Sequence, residues 1–455
     1  MKSTKYLILI ILCFNLACKK NTAQSDQQGE IQIESSNDEK LSILTTIPKE
    51  KYIEDLDQLM TELKNHPQLY EHIRKDELRT LVEENKGLIT EEFKIGEFTW
   101  LCRAIVSRIG CCHTVVPTLG MNYFLADALL FPLEVNFINN KLYVLNPLSN
   151  NQQISVGDEI LKINGQEVKN IFIEMSKHIS ADANNMSFKS EYINDSFMEY
   201  AAFHFKFVNS YEIELKQKDE AKTVSLYQLS SYSPDEAFTQ GKCENNLCFE
   251  IDKKNDLAII TIRSFYYYRE NFEATFKPFI DSCFSEIKSN QLQNLLIDLR
   301  DNGGGAPHCA SYLLEHIADK PFQYFKNGTH EYPDLQRSIS PNKNRFHGKP
   351  AIFINGRCFS TTGQLCALIK ENDFGIFIGK ETGATYTCNS TSQPSELKNT
   401  GVTAYIATRT FEANVFTLPN DKGITPHHRP KYDILDVLDK KDVDLEFYLN
   451  MISNK

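Results

Sequence analysis

A serine and a run of glycines, each placed after a short apolar stretch, are the residues of this chain best suited to chemistry. Ser360 follows the apolar residues 351–354 and precedes the helix-like residues 361–371. The loop 301–305 ends in three glycines and follows the apolar residues 295–299. Glycines let backbone N–H groups approach a substrate closely, and a serine hydroxyl can act as a nucleophile. The pair therefore predicts a nucleophile that faces an oxyanion site.

The elements that position these residues are predicted as alternating strands and helices. Residues 295–299 and 351–354 are short and almost wholly apolar, which is typical of strands buried on both faces of a parallel sheet. Residues 308–319 lie between them and space their apolar side chains as one helical face. Further segments continue the alternation: a strand at 257–262, a helix at 361–371 and a strand at 376–378. The pattern predicts an α/β core of β-α-β units with a mostly parallel sheet.

Ser360 is thereby predicted at a strand-to-helix turn. The first N–H groups of a helix lack intrahelical partners and the helix dipole favours negative charge, so an oxyanion beside Ser360 would be stabilised. The structural alternative is that Ser360 simply caps the helix, because serine is a favoured N-cap residue.

Three segments of the chain resemble the tail-specific protease family, also called C-terminal processing peptidases. They are LLIDLRDNGGG, AIFINGRCFSTTGQLCALIKENDFGIFIGKETG and, more weakly, GITP near the end. They follow one another in family order with family-like separations. The resemblance implies a crotonase-like α/β core with the nucleophile at Ser360. It also implies oxyanion N–H groups at Thr361 and at one of the three loop glycines, of which Gly304 is preferred.

One departure from the family concerns the general base. Members that use a Ser–Lys dyad carry a lysine beyond the GE-T turn, where this chain has Thr385, and Lys380 comes too early in the motif. A neutral imidazole is the usual base near pH 7. His113 lies in RIGCCHT, which resembles the LGDGHT segment of the histidine-using branch, whose members are tricorn-like or retinoid-binding-protein-like. His113 is therefore the predicted base, with Cys112 at a position that is serine in the tricorn-like enzymes.

The residue that would orient His113 is taken from the same branch. There a glutamate precedes the closing G-I/V-x-P motif by a few residues, and here Asp421 is the predicted third member, although strict offset points to Asn420. An amide can also hold an imidazole tautomer. The alternatives are a hydrogen-bonded core role for His113 and a reserve base at His308, beside the glycine loop.

Two further regions are predicted before a catalytic core at residues 250–455. Residues 45–125, with His113, resemble the helical N-terminal region of the family, because their apolar residues recur at spacings of three and four. Residues 131–229 change to strand patterns, and ISVGDEILKINGQEV resembles the later strands of a PDZ domain, with a tight turn at its Asn-Gly pair. In this family such a module captures a substrate's carboxyl end or gates the site. Residues 181–207 are interpreted as an insertion.

Composition limits the class of protein. The 455 residues, 41% hydrophobic and 24% charged, can fill two or three domains with ordinary cores. A net charge of −11 without a basic block argues against nucleic acid as a partner. Beyond the N-terminus no segment offers the roughly 18 apolar residues that a spanning helix needs.

The N-terminus has the pattern of a bacterial lipoprotein. Two lysines precede the apolar residues 6–14, and a small residue precedes Cys18. We expect a signal peptide at 1–18, lipidation at Cys18 and a polar tether at 19–44; Asn15 stands where leucine is usual, and simple secretion is the alternative. The protein would then lie in the bacterial cell envelope, lipid-anchored to a membrane on the periplasmic or outer-membrane side.

Twelve cysteines are many for an exported protein. Cys243 and Cys248 flank a predicted turn and could pair in an oxidising compartment. Cys111 and Cys112 are interpreted as reduced packing residues. A zinc site built from these two and His113 is disfavoured, because no second pair of ligands has suitable spacing.

These patterns predict a serine endopeptidase that hydrolyses protein or peptide substrates through an acyl-enzyme on Ser360, with His113 as general base and no metal or organic cofactor. Two other classes stay open. One is a catalytically inactive, membrane-tethered relative that binds peptides or apolar ligands, and the other is a scaffold whose PDZ-like module carries the function. Ester hydrolysis is also compatible, because the serine chemistry does not specify the leaving group.

Overall fold

The structure is a computed structural model that describes residues 42–118, 129–150, 152–217, 220–229, 243, 246–329 and 331–454. The predicted signal peptide, Cys18 and the tether as far as residue 41 lie outside the described residues. Within those ranges no helix is both long and apolar enough to cross a membrane.

Three helices precede the first sheet: α1 (Lys49–Glu62), α2 (Lys75–Leu88) and α3 (Ile95–Ser107). The predicted apolar face of α1 is buried, including Leu56 and Leu59. Helix α3 is buried on nearly every side, as expected of a core helix. Its first turn is held by Glu97, whose carboxylate accepts the N–H of Lys94 at 3.2 Å. Helix α3 ends a few residues before His113 and so delivers that residue to the site.

The first sheet is antiparallel and has the order β1-β2-β3-β5-β6, with β4 paired to β3. Its strands are β1 (Glu134–Ile138), β2 (Lys141–Asn146), β3 (Glu159–Ile163), β4 (Gln166–Glu167), β5 (Ser210–Gln217) and β6 (Glu220–Tyr227). Asn164 and Gly165 both have positive φ, 49° and 76°, which suits the two-residue hairpin turn predicted between β3 and β4. The sheet occupies the range in which strands were predicted.

Two helices pack beside this sheet: α4 (Val168–Ser176) and α5 (Met186–His204). Helix α5 fills most of the segment interpreted as an insertion, yet it buries Phe188, Phe197 and Phe203. The ring of Phe197 meets that of Phe131 edge-on, with centroids 5.4 Å apart. This segment is therefore part of the core, because its aromatic residues lie on the buried side of a helix.

The second sheet has the order β11-β10-β9-β8-β7 and forms the predicted α/β core. Its strands are β7 (Leu247–Asp252), β8 (Leu257–Ile262), β9 (Asn294–Asp298), β10 (Ala351–Ile354) and β11 (Ile376–Gly379), and its helices are α6 (Lys277–Ser289), α7 (Pro307–Glu315) and α8 (Thr361–Asn372). Strands β8 to β11 are parallel and β7 is an antiparallel edge. The residues of β10 are all buried, which confirms the prediction of a mostly parallel sheet covered on both faces.

The chain after the second sheet forms two short ladders and two helices. Strand β12 (Thr387–Ser390) pairs with β15 (Arg409–Glu412), β13 (Gln393–Glu396) pairs with β14 (Thr403–Ile406), and α9 (Ile434–Leu438) and α10 (Val443–Ser453) follow. The buried Arg300, just after β9, donates to Asp298, Asp442 and Asp444. This charge cluster attaches the start of α10 to the strand that leads into the glycine loop.

The N-terminal helices, the antiparallel sheet and part of the C-terminal region share one hydrophobic cluster. It extends from Ile43 to Leu226 and includes Leu397, Val402 and Ala404. The regions predicted at 45–125 and 131–229 therefore pack on a common core.

Cys243 and Cys248 form a disulfide, as the sequence allowed.

Candidate active site

Ser360 stands between β10 and α8 in an unfavourable backbone conformation. Its φ is 57° and its ψ is −132°, and its side chain makes no capping hydrogen bond to the helix. Residues held in sparsely populated regions cost roughly 1–3 kcal/mol and concentrate at functional sites. The capping alternative fails, because a capping serine would accept an N–H of the first turn.

The glycine loop lies directly against Ser360. A Cβ added to Gly304 would be 2.9 Å from the Cβ of Ser360 and 2.9 Å from the N of Thr361, and the φ of Gly304 is +97°. A Cβ on Gly305, with a φ of +139°, would lie 2.3 Å from the carbonyl carbon of Phe265. Both positions require glycine for this close approach. The predicted pairing of the serine turn with the glycine loop is thus present in the fold.

The N–H group of Gly304 is already used. It donates to Oδ1 of Asn302 at 2.9 Å, and the same oxygen accepts the hydroxyl of Thr362 at 2.8 Å. Asn302 is fully buried and its Nδ2 donates to the carbonyl of Ile262 at 3.0 Å. Gly304 is therefore next to the nucleophile, as predicted, but in this conformation its N–H points to Asn302 and not to an oxyanion.

The N–H of Gly305 faces the other way. Phe265 donates to the carbonyl of Gly304 at 2.9 Å and accepts the N–H of Ala306 at 2.8 Å, so the polar groups of Gly305 itself face away from Phe265. The carbonyl of Gly305 accepts the hydroxyl of Thr361 at 2.6 Å. Gly305 and Thr361 are thus neighbours at the start of α8, where backbone N–H groups can meet negative charge.

A cysteine that no sequence motif marked contacts both Ser360 and His113. The Sγ of Cys388, on β12, is 3.6 Å from the Oγ of Ser360, and it is 3.8 Å from Nδ1 and 3.9 Å from Nε2 of His113. No hydrogen bond joins Ser360 to His113 directly among the described contacts. The structure brings the predicted nucleophile and base into contact with one buried sulfur atom.

The imidazole of His113 is buried, and burial lowers its pKa to about 4. It is therefore neutral near pH 7, as a general base must be. The hydroxyl of Ser392 donates to the carbonyl of His113 at 2.7 Å, and the hydroxyl of Thr114 accepts the N–H of Ala407 at 3.0 Å. These bonds attach the turn after α3 to the ladder of β13 and β14, so residues far apart in sequence meet at one site.

Asp182, which sequence reasoning missed, is the carboxylate beside His113. Its Oδ1 accepts the N–H of Cys112 at 2.9 Å, and the Sγ of Cys112 is 3.1 Å from Nδ1 of His113. One ligand-type atom from each of the three residues lies within 4.8 Å of the others. Asp182 is buried, and burial raises its pKa to about 6. Nothing in the local sequence around Asp182 signals this role, because the contact depends on the packing of the segment before α5.

The other predicted residues lie elsewhere. Asp421 is exposed, and no described contact joins it to His113. His308 is half-exposed and pairs with Asp334 at 2.8 Å. Lys380 donates to Glu191 on α5 at 3.1 Å. The segment around Asp421 instead approaches the turn after β11, where the N–H of Gly423 donates to Glu381 at 2.9 Å.

The fold of this chain is similar to that of mature CPAF. Mature CPAF complexed with lactacystin has 12% sequence identity and a TM-score of 0.63, and the match covers 89% of this chain and 100% of that chain. A second structure of mature CPAF has 12% identity and a TM-score of 0.62, with 89% and 98% covered. The photosystem II D1 C-terminal processing protease has 13% identity and a TM-score of 0.40, with 88% and 97% covered. At these identities the likeness to CPAF concerns the fold alone.

Comparison of the sequence with protein families agrees with the motifs. No curated protein matches the chain. Residues 256–429 match the family model described as Peptidase family S41, and this range includes the glycine loop, Ser360 and Cys388 but not His113. This match over residues 256–429 supports the likeness to the tail-specific proteases that the motifs predicted.

Proposed function

We propose that this protein is a serine endopeptidase that cleaves protein or peptide substrates through an acyl-enzyme on Ser360, with His113 as general base. The observation that carries the proposal is the backbone of Ser360, strained, without a capping bond, and in contact with a glycine loop that tolerates no side chain. Strain of this kind is retained where a catalytic group must be presented.

In the first step His113 takes the proton of the Ser360 hydroxyl while Oγ attacks the peptide carbonyl. Because Nδ1 of His113 faces Cys112, Nε2 is the nitrogen assigned to this transfer. The amine then leaves with the proton from Nε2, and a water molecule activated by the same nitrogen releases the acyl group.

The oxyanion is assigned to two backbone N–H groups. One is that of Thr361, as predicted from the sequence. For the second we replace the predicted Gly304 with Gly305, because the N–H of Gly304 donates to Asn302 in this conformation whereas Gly305 faces away from Phe265. Removing one such donor typically costs about 10²–10³ in rate.

We assign to Cys388 a movement that lets Ser360 and His113 meet before the proton is transferred. Its sulfur is in contact with both groups, and catalytic hydrogen bonds are often long in unliganded structures. A rotation about χ1 of Cys388 when substrate binds would let Nε2 reach the hydroxyl.

Asp182 replaces Asp421 as the carboxylate that holds the base. It binds the N–H of Cys112, whose sulfur contacts Nδ1 of His113. An Nδ1–H that donates to this sulfur leaves Nε2 free as an acceptor, so Asp182 positions the tautomer through Cys112.

Substrate capture and cellular place extend the proposal. We assign the antiparallel sheet at residues 131–229 to a PDZ-like module that adds a substrate's carboxyl end as an extra strand. We also assign the protein to the cell envelope through a lipid on Cys18. Substitution of Cys18→Ala should move the protein from the membrane fraction to the soluble fraction, and an unchanged distribution would contradict the anchor.

The position of Cys388 also favours a second function. A sulfur in contact with both Ser360 and His113, which share no direct hydrogen bond among the described contacts, is compatible with a catalytically idle relative that binds peptides at the same site. This alternative predicts peptide binding without any reaction at Ser360.

A fluorophosphonate probe separates the two functions. Four full-length proteins in detergent would be treated with the probe and analysed by intact mass. They are the wild type, Ser360→Ala, His113→Ala and the control Ser311→Ala. Ser311 is a buried serine on α7, so its substitution controls for loss of a buried hydroxyl. We expect wild type and Ser311→Ala to gain one probe mass, and the two site variants to gain none. Lactacystin, which has been solved bound to mature CPAF, is expected to block the labelling. If the folded wild-type protein stays unlabelled, the proposed serine endopeptidase function is refuted.

A further inference from the structure

Cys112, His113 and Asp182 form a buried cluster of metal-binding side chains, here called the Cys-His-Asp cluster. Their exposed fractions are 6%, 8% and 5%. The Sγ of Cys112 is 3.1 Å from Nδ1 of His113, and ligand-type atoms of the three residues all lie within 4.8 Å of one another. The three side chains thus converge on one point in the interior.

One carboxylate oxygen of this cluster lacks a partner at ordinary hydrogen-bond geometry. Oδ1 of Asp182 accepts the N–H of Cys112, whereas the buried Oδ2 has no such bond, and the Cys112 thiol and the Thr385 N–H near the carboxylate only oppose the rise in its pKa that burial causes. A buried polar atom left unpaired is costly, and more so when it carries charge. A cation between Asp182, Cys112 and His113 would satisfy this oxygen.

The donor set selects the class of ion. A thiolate, an imidazole nitrogen and a carboxylate oxygen are ligands of Zn²⁺ and related borderline-soft ions, whereas Mg²⁺ and Ca²⁺ prefer oxygen alone. In tetrahedral zinc sites, bonds of about 2.0–2.3 Å place the ligand atoms roughly 3.3–3.8 Å apart. The widest separation in the cluster, within 4.8 Å, would have to contract by about 1.5 Å at most.

The charges also balance. Coordination removes the thiol proton of Cys112 to solvent, and the resulting thiolate together with the Asp182 carboxylate carries two negative charges. A neutral His113 adds none, so a divalent ion makes the buried site neutral overall. A neutral site avoids the penalty for burying net charge.

We propose that the Cys-His-Asp cluster is an inhibitory site for Zn²⁺ or a similar thiophilic divalent ion. An ion on Nδ1 of His113 forces the ring proton onto Nε2, which then donates a hydrogen bond and no longer accepts the Ser360 proton. The fourth coordination position is left to solvent. Only the inhibition rests on the proposed peptidase function; the binding of the ion does not.

The cluster differs from the zinc site considered from the sequence. That site used Cys111, whose Sγ contacts the carbonyl of Asn389 at 3.9 Å and is not one of the three clustered ligands. The third ligand comes instead from Asp182, which approaches only in the folded chain.

Binding is tested first, without reference to activity. Full-length protein kept reduced with a phosphine would be titrated with Co²⁺, whose thiolate charge-transfer and tetrahedral ligand-field bands report the donor set, and then with Zn²⁺ in competition. Cys112→Ser and Asp182→Asn remove one ligand each, and Cys283→Ser, a buried free cysteine on α6, is the matched control. We expect one tight ion per chain for wild type and control, and affinity lower by at least about tenfold in each ligand variant. Equal affinity in all four proteins would overturn the site. Circular dichroism of each variant would show that a loss of binding is not a loss of fold.

Inhibition is tested second, by the rate of fluorophosphonate labelling with Zn²⁺ and after its removal by a chelator. The proposal is supported if Zn²⁺ slows labelling of the wild type and the chelator restores the rate. The ratio of the rates without and with Zn²⁺ should be much smaller in Asp182→Asn. Zn²⁺ binding with an unchanged labelling rate overturns the inhibition. Zn²⁺ binding to a protein that never labels refutes the peptidase function and leaves the metal site standing, so the two failures can be told apart.

Discussion

Replacing Gly304 with alanine should disable Ser360 while leaving the protein folded. The added Cβ would lie 2.9 Å from the Cβ of Ser360 and 2.9 Å from the backbone N of Thr361, distances that neither backbone atoms nor a fixed Cβ can tolerate. The serine turn must then move away from the loop by several tenths of an ångström or more. The substitution therefore acts on the nucleophile itself and on the start of α8.

The expected loss of folding free energy in Gly304→Ala has two parts. A positive φ costs an L-residue about 1–2 kcal/mol, and forcing a methyl group into a packed site costs about 1–3 kcal/mol. The sum of about 2–5 kcal/mol is below the usual total stability of roughly 5–15 kcal/mol, so most of the protein stays folded. A displacement of the reacting oxygen by up to about 1 Å can lower the rate about 10²-fold.

Gly165→Ala is the matched control. Gly165 also has a positive φ, +76°, but a Cβ there meets nothing within 4 Å. It should share the conformational cost of about 1–2 kcal/mol and none of the overpacking. Its labelling rate should equal that of wild type, because the β3–β4 turn is not part of the site.

The assay pairs fluorophosphonate labelling of Ser360, measured by intact mass over time, with the free energy of unfolding in denaturant. The reasoning fails if Gly304→Ala labels at the wild-type rate, because the close approach of the loop to Ser360 would then have no consequence. It also fails if both glycine variants lose labelling equally, since that would indicate general destabilisation.

Three further predictions concern the sulfur, the base and the fold. Cys388→Ala should label at least as fast as wild type, because the sulfur that contacts both Ser360 and His113 is gone; a loss beyond about tenfold, not shared by the buried control Cys366→Ala, would mean that the thiol relays the proton. Burial lowers the pKa of His113 to about 4, and the neutral form needed for base catalysis exists above that value. Labelling should therefore stay constant from pH 8 down to about 5.5, whereas a decline centred near the ordinary value of about 6.5 would contradict a buried base. Asp55, buried on α1, accepts the N–H of Thr400 at 2.8 Å and its hydroxyl at 2.7 Å, so Asp55→Ala should lower the free energy of unfolding by about 3 kcal/mol. Asp57→Ala on the same helix removes only an exposed pair with Lys86 and should cost less than about 1 kcal/mol; equal losses in denaturant unfolding would refute the role of Asp55.

Much of the catalytic core was predictable from local patterns. The strands at 295–299 and 351–354 were expected because short apolar runs next to glycines suit buried parallel strands, and the structure has β9 and β10 there. The helix after Ser360 and the approach of the glycine loop were expected from the order of the motifs. Strand and helix patterns depend on residues that are close along the chain, so they can be predicted from the sequence alone.

The helix in the segment around residues 186–204 shows the limit of such patterns. Its richness in Asn, Phe and Tyr suggests an insertion, yet α5 buries several of these aromatic residues in the core. Burial on several sides removes the polar face that sequence periodicity relies on.

By itself, the sequence determined which residues could act as nucleophile and base, Ser360 and His113, because each lies in a local motif. Only the tertiary structure decided what stands around them. The contacts of Cys388 with Ser360 and His113, and the hydrogen bond from Cys112 to Asp182 beside His113, join segments far apart in the chain. Such contacts follow from the packing of the turn after α3 against the C-terminal ladders, and no spacing along the chain encodes a side-chain distance across that interface.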